Sequence, residues 1–472
     1  MEQLEKLITR IIDRVNINLR EPFFDAGPYV RDLIPPHQFN LFYAFYGLTL
    51  HHPIHFHFNQ SSIAGSYFLG KCIVDHSVLY KSDIRGDELK AQGDIFQHQG
   101  MQIPLHDDEI IRIQDSYLIK NLVHNNSRNP ESPEEFYIKN TISMHYANIH
   151  GSTMEGSFIG PFATVDLTTL HDCVIGTYSY VQTGELSHRL IEDGRILING
   201  DAFNFMYYFN PDILKRYISI EPGKPPKGIL MDFVESRKSD FEWVFEMMQS
   251  KCPIIVPAGA SISQYAVVKN ARVSENVLVA QRAYLENAWL GKGSNAQENC
   301  YIIHSRLEGN DITAHGGKVI RAQLAKNVFV GFNAFLQGSV TCPLTVGEGC
   351  IVMPHTIIDL EEPIDIPAGH LVWGCIRNRN DLSKHSMALD ELAKADGEIE
   401  MGAMIFQGSG AKFVEAFRHR IDHILEANGA YYDGNGQNRG HAQKGQNITF
   451  NTLQPYPEGE MKGIYPTIDI RP

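Results

Sequence analysis

A six-residue spacing of aliphatic side chains constrains the fold of this chain more than any other feature of its sequence. The spacing occurs in both halves of the chain, at Cys72, Val78 and Ile84, at Ile159 and Val165, at Ile175 and Val181, at Val267, Val273, Val279 and Leu285, at Leu324, Val330, Leu336 and Cys342, and at Val346, Val352 and Ile358. An amphipathic helix repeats every 3.6 residues and an alternating strand every 2, so neither produces it. A β-solenoid does, because each short strand forms one flank of a triangular coil and points one aliphatic side chain at the axis.

The residues next to these aliphatic positions favour the same fold. Segments such as VFVGFNAFLQGSV place glycine, alanine, serine or asparagine where the chain of a solenoid turns its corners. Glycine and asparagine tolerate the positive φ that such tight corners often need. A β-sandwich of short strands is the alternative, but a sandwich has no reason to keep a six-residue register over four repeats. The sequence therefore predicts a mainly β fold built of stacked coils.

The repeats resemble those of the hexapeptide-repeat proteins, which implies a left-handed parallel β-helix and a homotrimer. They occupy two blocks, and the segments around them have helical spacing, as at Leu4, Leu7 and Ile11 or at Phe241, Val244 and Phe245. We therefore expect five segments: an N-terminal helix and extended segment (1–58), a first β-helix block (59–200), a helical insertion (201–252), a second β-helix block (253–378), and C-terminal helices with an extended tail (379–472).

The composition and charge of the chain exclude several classes of protein. Asp and Glu number 55 against 41 Lys and Arg, and this net charge of -14 without a basic stripe argues against binding to nucleic acid. No long apolar run suits a membrane span, and the N-terminus lacks the apolar core of a signal peptide. The seven cysteines form no CxxC pair, which fits buried free thiols. We expect a cytoplasmic protein that acts on a small-molecule substrate.

Three stretches of the first block contain the residues with the clearest chemical pattern. In chain order they hold an R-x-D, a glutamine followed by a histidine, and an H-x4-H-G, formed by Arg85 and Asp87, by Gln114 and His124, and by His145 and His150. This set, in this order on one β-helix, is similar to that of the gamma-class carbonic anhydrases. The first block is accordingly identified as carbonic anhydrase-like.

The resemblance implies a metal site with His124, His145 and His150 as ligands, contributed by two adjacent subunits. The metal it implies is divalent, zinc in the first place and iron or cobalt as alternatives. Three neutral imidazoles leave such a metal an open position, where bound water loses a proton at a pKa of about 7 and the hydroxide attacks CO₂ or a related small electrophile. Arg85 and Asp87 correspond to an ion pair near the subunit interface, and Gln114 to a hydrogen-bonding partner of the hydroxide or substrate.

Two other functions remain open beside this metal-dependent lyase. Most hexapeptide-repeat proteins are acyltransferases, and MPHTIIDL, with His355, is similar to the segments in which such enzymes use a histidine as general base. In the second block Gln297, His304 and His315 repeat the Gln-then-His order without an R-x-D or an H-x4-H, so we expect structural or interface histidines there. The third function is that of a non-catalytic β-helix scaffold subunit.

Overall fold

The structure is a computed structural model, and it describes residues 2–98, 101–125, 135–242, 254–445, 448–453 and 468–470. The chain divides into two compact units. Unit 1 comprises Met1–Arg195, Pro211–Phe233 and Ile448–Pro472, and unit 2 comprises Ile196–Asn210 and Val234–Asn447. Within the described residues no helix is long and apolar enough to cross a membrane. Each unit contains a left-handed parallel β-helix, which confirms the predicted fold class and its two blocks.

The β-helix of unit 1 has three faces, each a sheet of short parallel strands. The strands of the first face are Ala44–Leu48, Tyr67–Leu69, Asp83–Arg85, Leu122–His124, Asn148–His150, Thr164–Asp166 and Tyr180–Gln182. Those of the second are Phe56–Asn59, Cys72–Asp75, Ile110–Gln114, Glu135–Lys139, Met154–Glu155, Thr168–His171 and Gly184–Ser187. Those of the third are Val78–Tyr80, Tyr117–Ile119, Ile142–Ser143, Phe158–Ile159, Val174–Ile175 and Leu190–Ile191.

An uninterrupted coil of unit 1 contains fewer residues than three six-residue repeats would give. Residues that occupy the same place in successive uninterrupted coils are 16 apart, as Ser152 and Thr168 are. The predicted core positions Ile159 and Ile175 are paired in register and fully buried. Val78 is not on the axis, because it belongs to a cluster around the N-terminal helix and its neighbour Leu79 is the inward, fully buried residue.

The N-terminal segment of unit 1 covers the third face of the β-helix. The predicted amphipathic helix spans Glu2–Asn18, and its buried residues pack with those of the third face, including Val78, Tyr117, Ile142 and Phe158. The other helical segments are Gly27–Val30, Pro36–Asn40, Pro211–Tyr217 and Ile229–Glu235, of which the last ends in unit 2. The hairpin of Ile95–His98 and Met101–Pro104 projects from one coil.

Unit 1 differs from the sequence prediction at the first coil of its β-helix. The first coil begins at Ala44–Leu48 inside the segment expected to be extended, since this strand pairs in parallel with Tyr67–Leu69. Two described segments of the tail are extended and pair within the chain. Thr449–Leu453 runs antiparallel to Ala44–Leu48, and Ile468–Ile470 runs antiparallel to Phe56–Asn59. The tail thereby pairs with the first strands of two faces, which would otherwise be open sheet edges.

The β-helix of unit 2 also has three faces of parallel strands. The strands of the first face are Ser261–Ile262, Leu278–Val279, Asn295–Ala296, Ile312–Thr313, Phe329–Val330, Ile351–Val352 and His370–Val372. Those of the second are Val267–Lys269, Tyr284–Glu286, Tyr301–Ile303, Lys318–Ile320, Phe335–Gln337, Ile357–Asp359 and Cys375–Ile376. Those of the third are Arg272–Val273, Trp289–Leu290, Arg306–Leu307, Ala322–Leu324, Leu344–Val346 and Ile364–Ile366.

Residues that occupy the same place in the uninterrupted coils of unit 2 are 17 apart, as the paired residues Ile312 and Phe329 are, whereas later coils are longer, as the pairing of Phe329 with Ile351 shows. The predicted positions Val273, Val279 and Leu285 belong to the axial aliphatic cluster. Val268, rather than the predicted Val267, points into the axial cluster. The register shifts by one because one face of an uninterrupted coil has five residues instead of six. The axial column also contains Leu324, Val330 and Leu336, but Cys342 is half-buried and lies outside it.

The segments flanking the second β-helix contain more strand than predicted. Phe203–Tyr208, expected in a helical insertion, is a strand that pairs antiparallel with Met404–Ser409, which in turn pairs with Asp396–Met401. The predicted helix around Val244, Phe245 and Met248 lies outside the described residues. The remaining elements of unit 2 are the strand Ser386–Ala388 and the helical segments Lys238–Phe241, Arg379–Lys384, Leu389–Leu392, Gly410–Asn428, Gly436–Asn438 and His441–Lys444, and Arg195–Gly200 is a strand that begins in unit 1.

Gly70 lies at a corner of unit 1 where both its backbone and its surroundings require glycine. Its φ is +81°, and a Cβ there would lie 2.4 Å from the Gly86 carbonyl oxygen. We expect Gly70→Ala to lower the free energy of unfolding by about 2–3 kcal/mol, since left-handed strain and a backbone clash both act. Gly93 has φ +90° with nothing within 4 Å of a Cβ, so Gly93→Ala isolates the strain and should cost about 1 kcal/mol or less. Equal midpoints of the two variants in urea denaturation would contradict the clash.

Candidate functional site

A row of polar side chains occupies the ends of four adjacent strands on the first face of unit 1. Parallel pairing places Arg85 next to His124, His124 next to His150, and His150 next to Asp166. Adjacent strands are about 4.8 Å apart, so consecutive side chains of such a row can contact one another. We call these four residues the polar ladder.

Arg85 begins the polar ladder and forms the expected ion pair with Asp87. Its Nε donates to Asp87 Oδ1 at 3.0 Å, and its Nη2 donates to Asp87 Oδ2, so the pairing is bidentate. The side chains of Arg85 and Asp87 are only 6% and 5% exposed. The R-G-D sequence is therefore not a solvated surface turn, and each charge depends on the other for compensation.

His124 is enclosed between charged groups and the next histidine. Its Nε2 lies 3.5 Å from Glu88 Oε1 and 3.7 Å from Asp87 Oδ1. The rings of His124 and His150 meet at 75°, with centroids 5.1 Å apart. Burial lowers the pKa of His124 to about 3, an effect that Glu88 opposes and Arg85 reinforces. The imidazole of His124 is therefore neutral near pH 7.

The buried, neutral state of His124 predicts a pH dependence of stability. Below about pH 6.5 the unfolded chain protonates this histidine, whereas the folded chain does so only near pH 3. The stabilisation is complete above pH 6.5 and is lost as the pH falls towards 3. Between about pH 7 and about pH 5 the parent should lose roughly 1–2 kcal/mol more than His124→Gln, measured by urea denaturation with EDTA present.

His188, whose side chain is 47% exposed, provides the control for this measurement. His188→Gln removes a partly exposed imidazole that contacts Glu21 and Asp172, and its pH dependence is measured beside that of His124→Gln. If His124→Gln follows the parent, then His124 is not kept neutral by the fold.

His150 is held by a carboxylate that the sequence analysis did not identify. The Nδ1 of His150 lies 2.8 Å from Oδ1 of Asp166, which is fully buried, while the side chain of His150 is 12% exposed. The hydroxyl of Tyr180 hydrogen-bonds to the other oxygen of Asp166 and lies 3.0 Å from Gln182 Oε1. The hydrogen bond between His150 Nδ1 and Asp166 assigns the proton of a neutral His150 to Nδ1 and leaves Nε2 as a base or a metal ligand. Asp166 follows His150 by 16 residues, so the length of one coil would have revealed it.

The structure does not bring every predicted site residue to the polar ladder. A ring nitrogen of His124 lies within 4.8 Å of one of His150, but among the described residues His145 does not join these two at that distance. His145 is buried, and desolvation, with Lys120 reinforcing it, lowers its pKa well below the usual value. Gln114 ends a strand of the second face, where it pairs in register with Asp75. A strand of the third face, Tyr117–Ile119, lies between Gln114 and His124 in the chain, so these two residues are on different faces.

Unit 2 contains its own histidine beside a carboxylate. The Nδ1 of His315 lies 2.9 Å from Oε2 of Glu298, and both side chains are buried. Gln297 and His355 are also buried, whereas His304 is an exposed corner residue with φ +50°. Glu298 and His315 are 17 residues apart, one coil of unit 2, just as His150 and Asp166 are one coil of unit 1 apart.

Comparisons with known proteins agree with the architecture. A family model described as "Hexapeptide repeat including loop" matches residues 101–222. A crystal structure from Desulfovibrio desulfuricans G20, described as a "putative acetyltransferase", is 59% identical, with a TM-score of 0.92 over 100% of this chain and 99% of that one.

Two curated relatives match over shorter stretches. The Bifunctional protein GlmU of Agrobacterium fabrum is 28% identical over 144 residues, 30% of this chain, and that of Rhizobium etli is 26% identical over 121 residues, 25% of this chain. The matches span only 27% and 22% of those two proteins. None of these three relatives is described as a carbonic anhydrase.

Proposed function

We propose an acyltransferase activity for this protein on the premise that the chain belongs to the hexapeptide-repeat family of left-handed parallel β-helix proteins. The donor is an acyl thioester of the acetyl-CoA type, and the acceptor is a small molecule with a hydroxyl or an amine. The description of the Desulfovibrio relative supports the reaction class. The observation that carries the proposal is the pairing of His150 with Asp166, which prepares an imidazole to act as a general base.

In this mechanism His150 takes one proton from the acceptor and later gives it to the leaving thiol. Its Nε2 takes the proton of the acceptor hydroxyl or amine as the oxygen or nitrogen bonds to the thioester carbonyl carbon. The C–S bond then breaks, and the departing sulfur takes the proton back from His150. The carboxylate of Asp166 stabilises the imidazolium that exists between these steps.

The surroundings of His150 support this role. Tyr180 holds the second oxygen of Asp166, so the carboxylate cannot rotate away from His150 without losing a hydrogen bond. His124, next along the polar ladder, is neutral near pH 7 and therefore does not repel the imidazolium of His150. The Arg85–Asp87 pair compensates its own charges, so the carboxylates of Asp166 and Glu88 remain near the two histidines and favour an imidazolium at His150.

A thiol-release assay tests the proposal. The purified full-length protein is incubated with acetyl-CoA and a panel of hydroxyl- and amine-bearing acceptors, and free thiol is measured over time. We expect release above the acceptor-free rate with at least one acceptor, and acylated product in equal amount by mass spectrometry. Failure of every acceptor, together with failure of acetyl-CoA to bind in calorimetry, would overturn the acyltransferase proposal.

A metal-dependent, carbonic anhydrase-like activity is the second candidate, and the approach of His124 to His150 favours it. Two imidazoles with nitrogens within 4.8 Å of each other suit a divalent metal, with zinc first and iron or cobalt as alternatives. Under this proposal His145 provides a ligand in a neighbouring copy of a homotrimer. A bound metal would supply Lewis acidity towards water or a small electrophile such as CO₂.

The metal content of the purified protein separates the two candidates. The metal-dependent candidate predicts about one equivalent of divalent metal per chain, which His124→Ala and His150→Ala should each remove, because a three-ligand site has none to spare. His145→Ala should do so only if the homotrimer forms, which native mass spectrometry measures. His188→Ala is the matched control. Acyl transfer that survives EDTA would favour the first candidate.

A further inference from the structure

Unit 2 carries a concave surface that contains none of the residues assigned to the proposed mechanism. It has a volume of about 540 Å³ and lies along the corner between the second and third faces of the β-helix. Its walls include three arginines and a tryptophan, which together we call the arginine groove, Arg272, Trp289, Arg306 and Arg321. A volume of this size lies within the range of small-molecule sites.

The repeat of the coil builds the arginine groove. On the third face Arg272 pairs in register with Trp289, and Trp289 with Arg306, so these large side chains project side by side. The corner positions before them, one coil apart and all with φ of 48–50°, hold Asn270, Asn287, His304 and Arg321. Small residues separate the two rows, at Ala271, Ala288, Ser305 and Ala322. The groove exists because one small side chain per coil lies between two rows of long ones.

The charge of the arginine groove is opposite to that of the whole protein. Its lining contains three arginines and neither Asp nor Glu, although the chain has a net charge of -14. Among the described residues Arg272 and Arg321 make no hydrogen bond or ion pair through their side chains. Three guanidinium groups around one concavity repel one another and favour a bound anion that carries several negative charges.

An aromatic ring lies beside these charges. The guanidinium of Arg306 stacks over Trp289 at 3.7 Å from the ring centroid, and Glu308, half-exposed, is 3.8 Å from its Nε. Trp289 is itself only partly buried. A planar group of a ligand can therefore stack on the part of the indole that Arg306 leaves uncovered or on the Arg306 plane, as bases do on aromatic and guanidinium surfaces.

We propose that the arginine groove binds a nucleoside diphosphate, or a larger ligand that contains one. Arg272, Arg306 and Arg321 bind the two phosphates through guanidinium forks, and the base stacks at Trp289. This proposal shares no residue with the acyltransferase mechanism, so either can fail without the other.

Binding of ADP to the full-length protein tests the proposal by calorimetry, with inorganic pyrophosphate and adenosine as partial probes. We expect saturable binding of ADP, weaker binding of pyrophosphate, and weakest binding of adenosine. Arg272→Ala and Arg321→Ala should each weaken ADP binding about tenfold, since each removes charge-assisted hydrogen bonds. Trp289→Leu should weaken ADP binding but leave pyrophosphate binding unchanged. Lys292→Ala, an exposed cation outside the groove, should change neither.

Two outcomes would overturn the proposal. One is ADP binding in Arg272→Ala/Arg321→Ala that equals the parent's, which would place the nucleotide elsewhere. The other is equal affinity for ADP and pyrophosphate with no effect of Trp289→Leu, which would remove the nucleoside from the ligand. A further arm identifies the source of the diphosphate: acetyl-CoA that displaces ADP makes the acyl donor the ligand, and lack of displacement indicates a separate nucleotide. Circular dichroism of each variant verifies that the β-helix is folded.

Discussion

Replacement of His150 by asparagine is expected to lower kcat for acyl transfer by about 10²- to 10⁴-fold, the usual contribution of a positioned general base. An asparagine amide can still donate to Asp166, so the local hydrogen bond is retained while the base at Nε2 is lost. KM should change much less than kcat, because the proton moves only during the reaction. Steady-state thiol release with the best acceptor measures both constants.

Two further variants define what the result means. Asp166→Asn should lower kcat in the same direction, since the neutral amide neither fixes the tautomer of His150 nor stabilises its charge. His188→Ala changes an exposed histidine and should keep the parent rate. A His150→Asn variant that retains half or more of the parent kcat would exclude His150 as the base and leave the acyltransferase proposal without its site.

Arg85→Ala is expected to lower the free energy of unfolding by about 3–5 kcal/mol, because it leaves the carboxylate of Asp87 buried without its partner. The loss should appear in the transition of unit 1, so urea denaturation is followed by probes that resolve more than one transition. Arg195→Ala is the matched control. Arg195 pairs with Glu192 near the surface, with 37% and 65% exposure, and its loss should cost between 0 and about 1 kcal/mol.

The double variant Arg85→Ala/Asp87→Ala separates charge from packing. Removal of both partners removes both charges of this pair, so the double variant should recover part of the stability lost in Arg85→Ala. If the homotrimer forms near this pair, as the carbonic anhydrase resemblance implies, native mass spectrometry should show dissociation and metal loss together. A destabilisation by Arg85→Ala no larger than that by Arg195→Ala would mean that the pair does not carry this energy.

The order of the motifs in the sequence identified some residues of the candidate site but not all of them. The R-x-D, the histidine and the H-x4-H-G contain Arg85, His124 and His150, which the structure places on neighbouring strands of one face. The same order gave no position for Gln114, which lies on another face, because an insertion changes the number of corners between two residues. The function expected from that order was a lyase, whereas the comparisons support the acyltransferase alternative.

The sequence by itself determined the fold class and its two blocks, because only stacked coils bury an aliphatic residue about every six positions. It also identified the charged residue and the histidines that lie in the polar ladder, Arg85, His124 and His150. The tertiary structure alone decided the length of an uninterrupted coil, 16 residues in unit 1 and 17 in unit 2, since corner residues adopt positive φ whether or not they are glycine or asparagine. That length sets which residues meet across strands, so the partnership of His150 with Asp166 could be found only once the coils were closed.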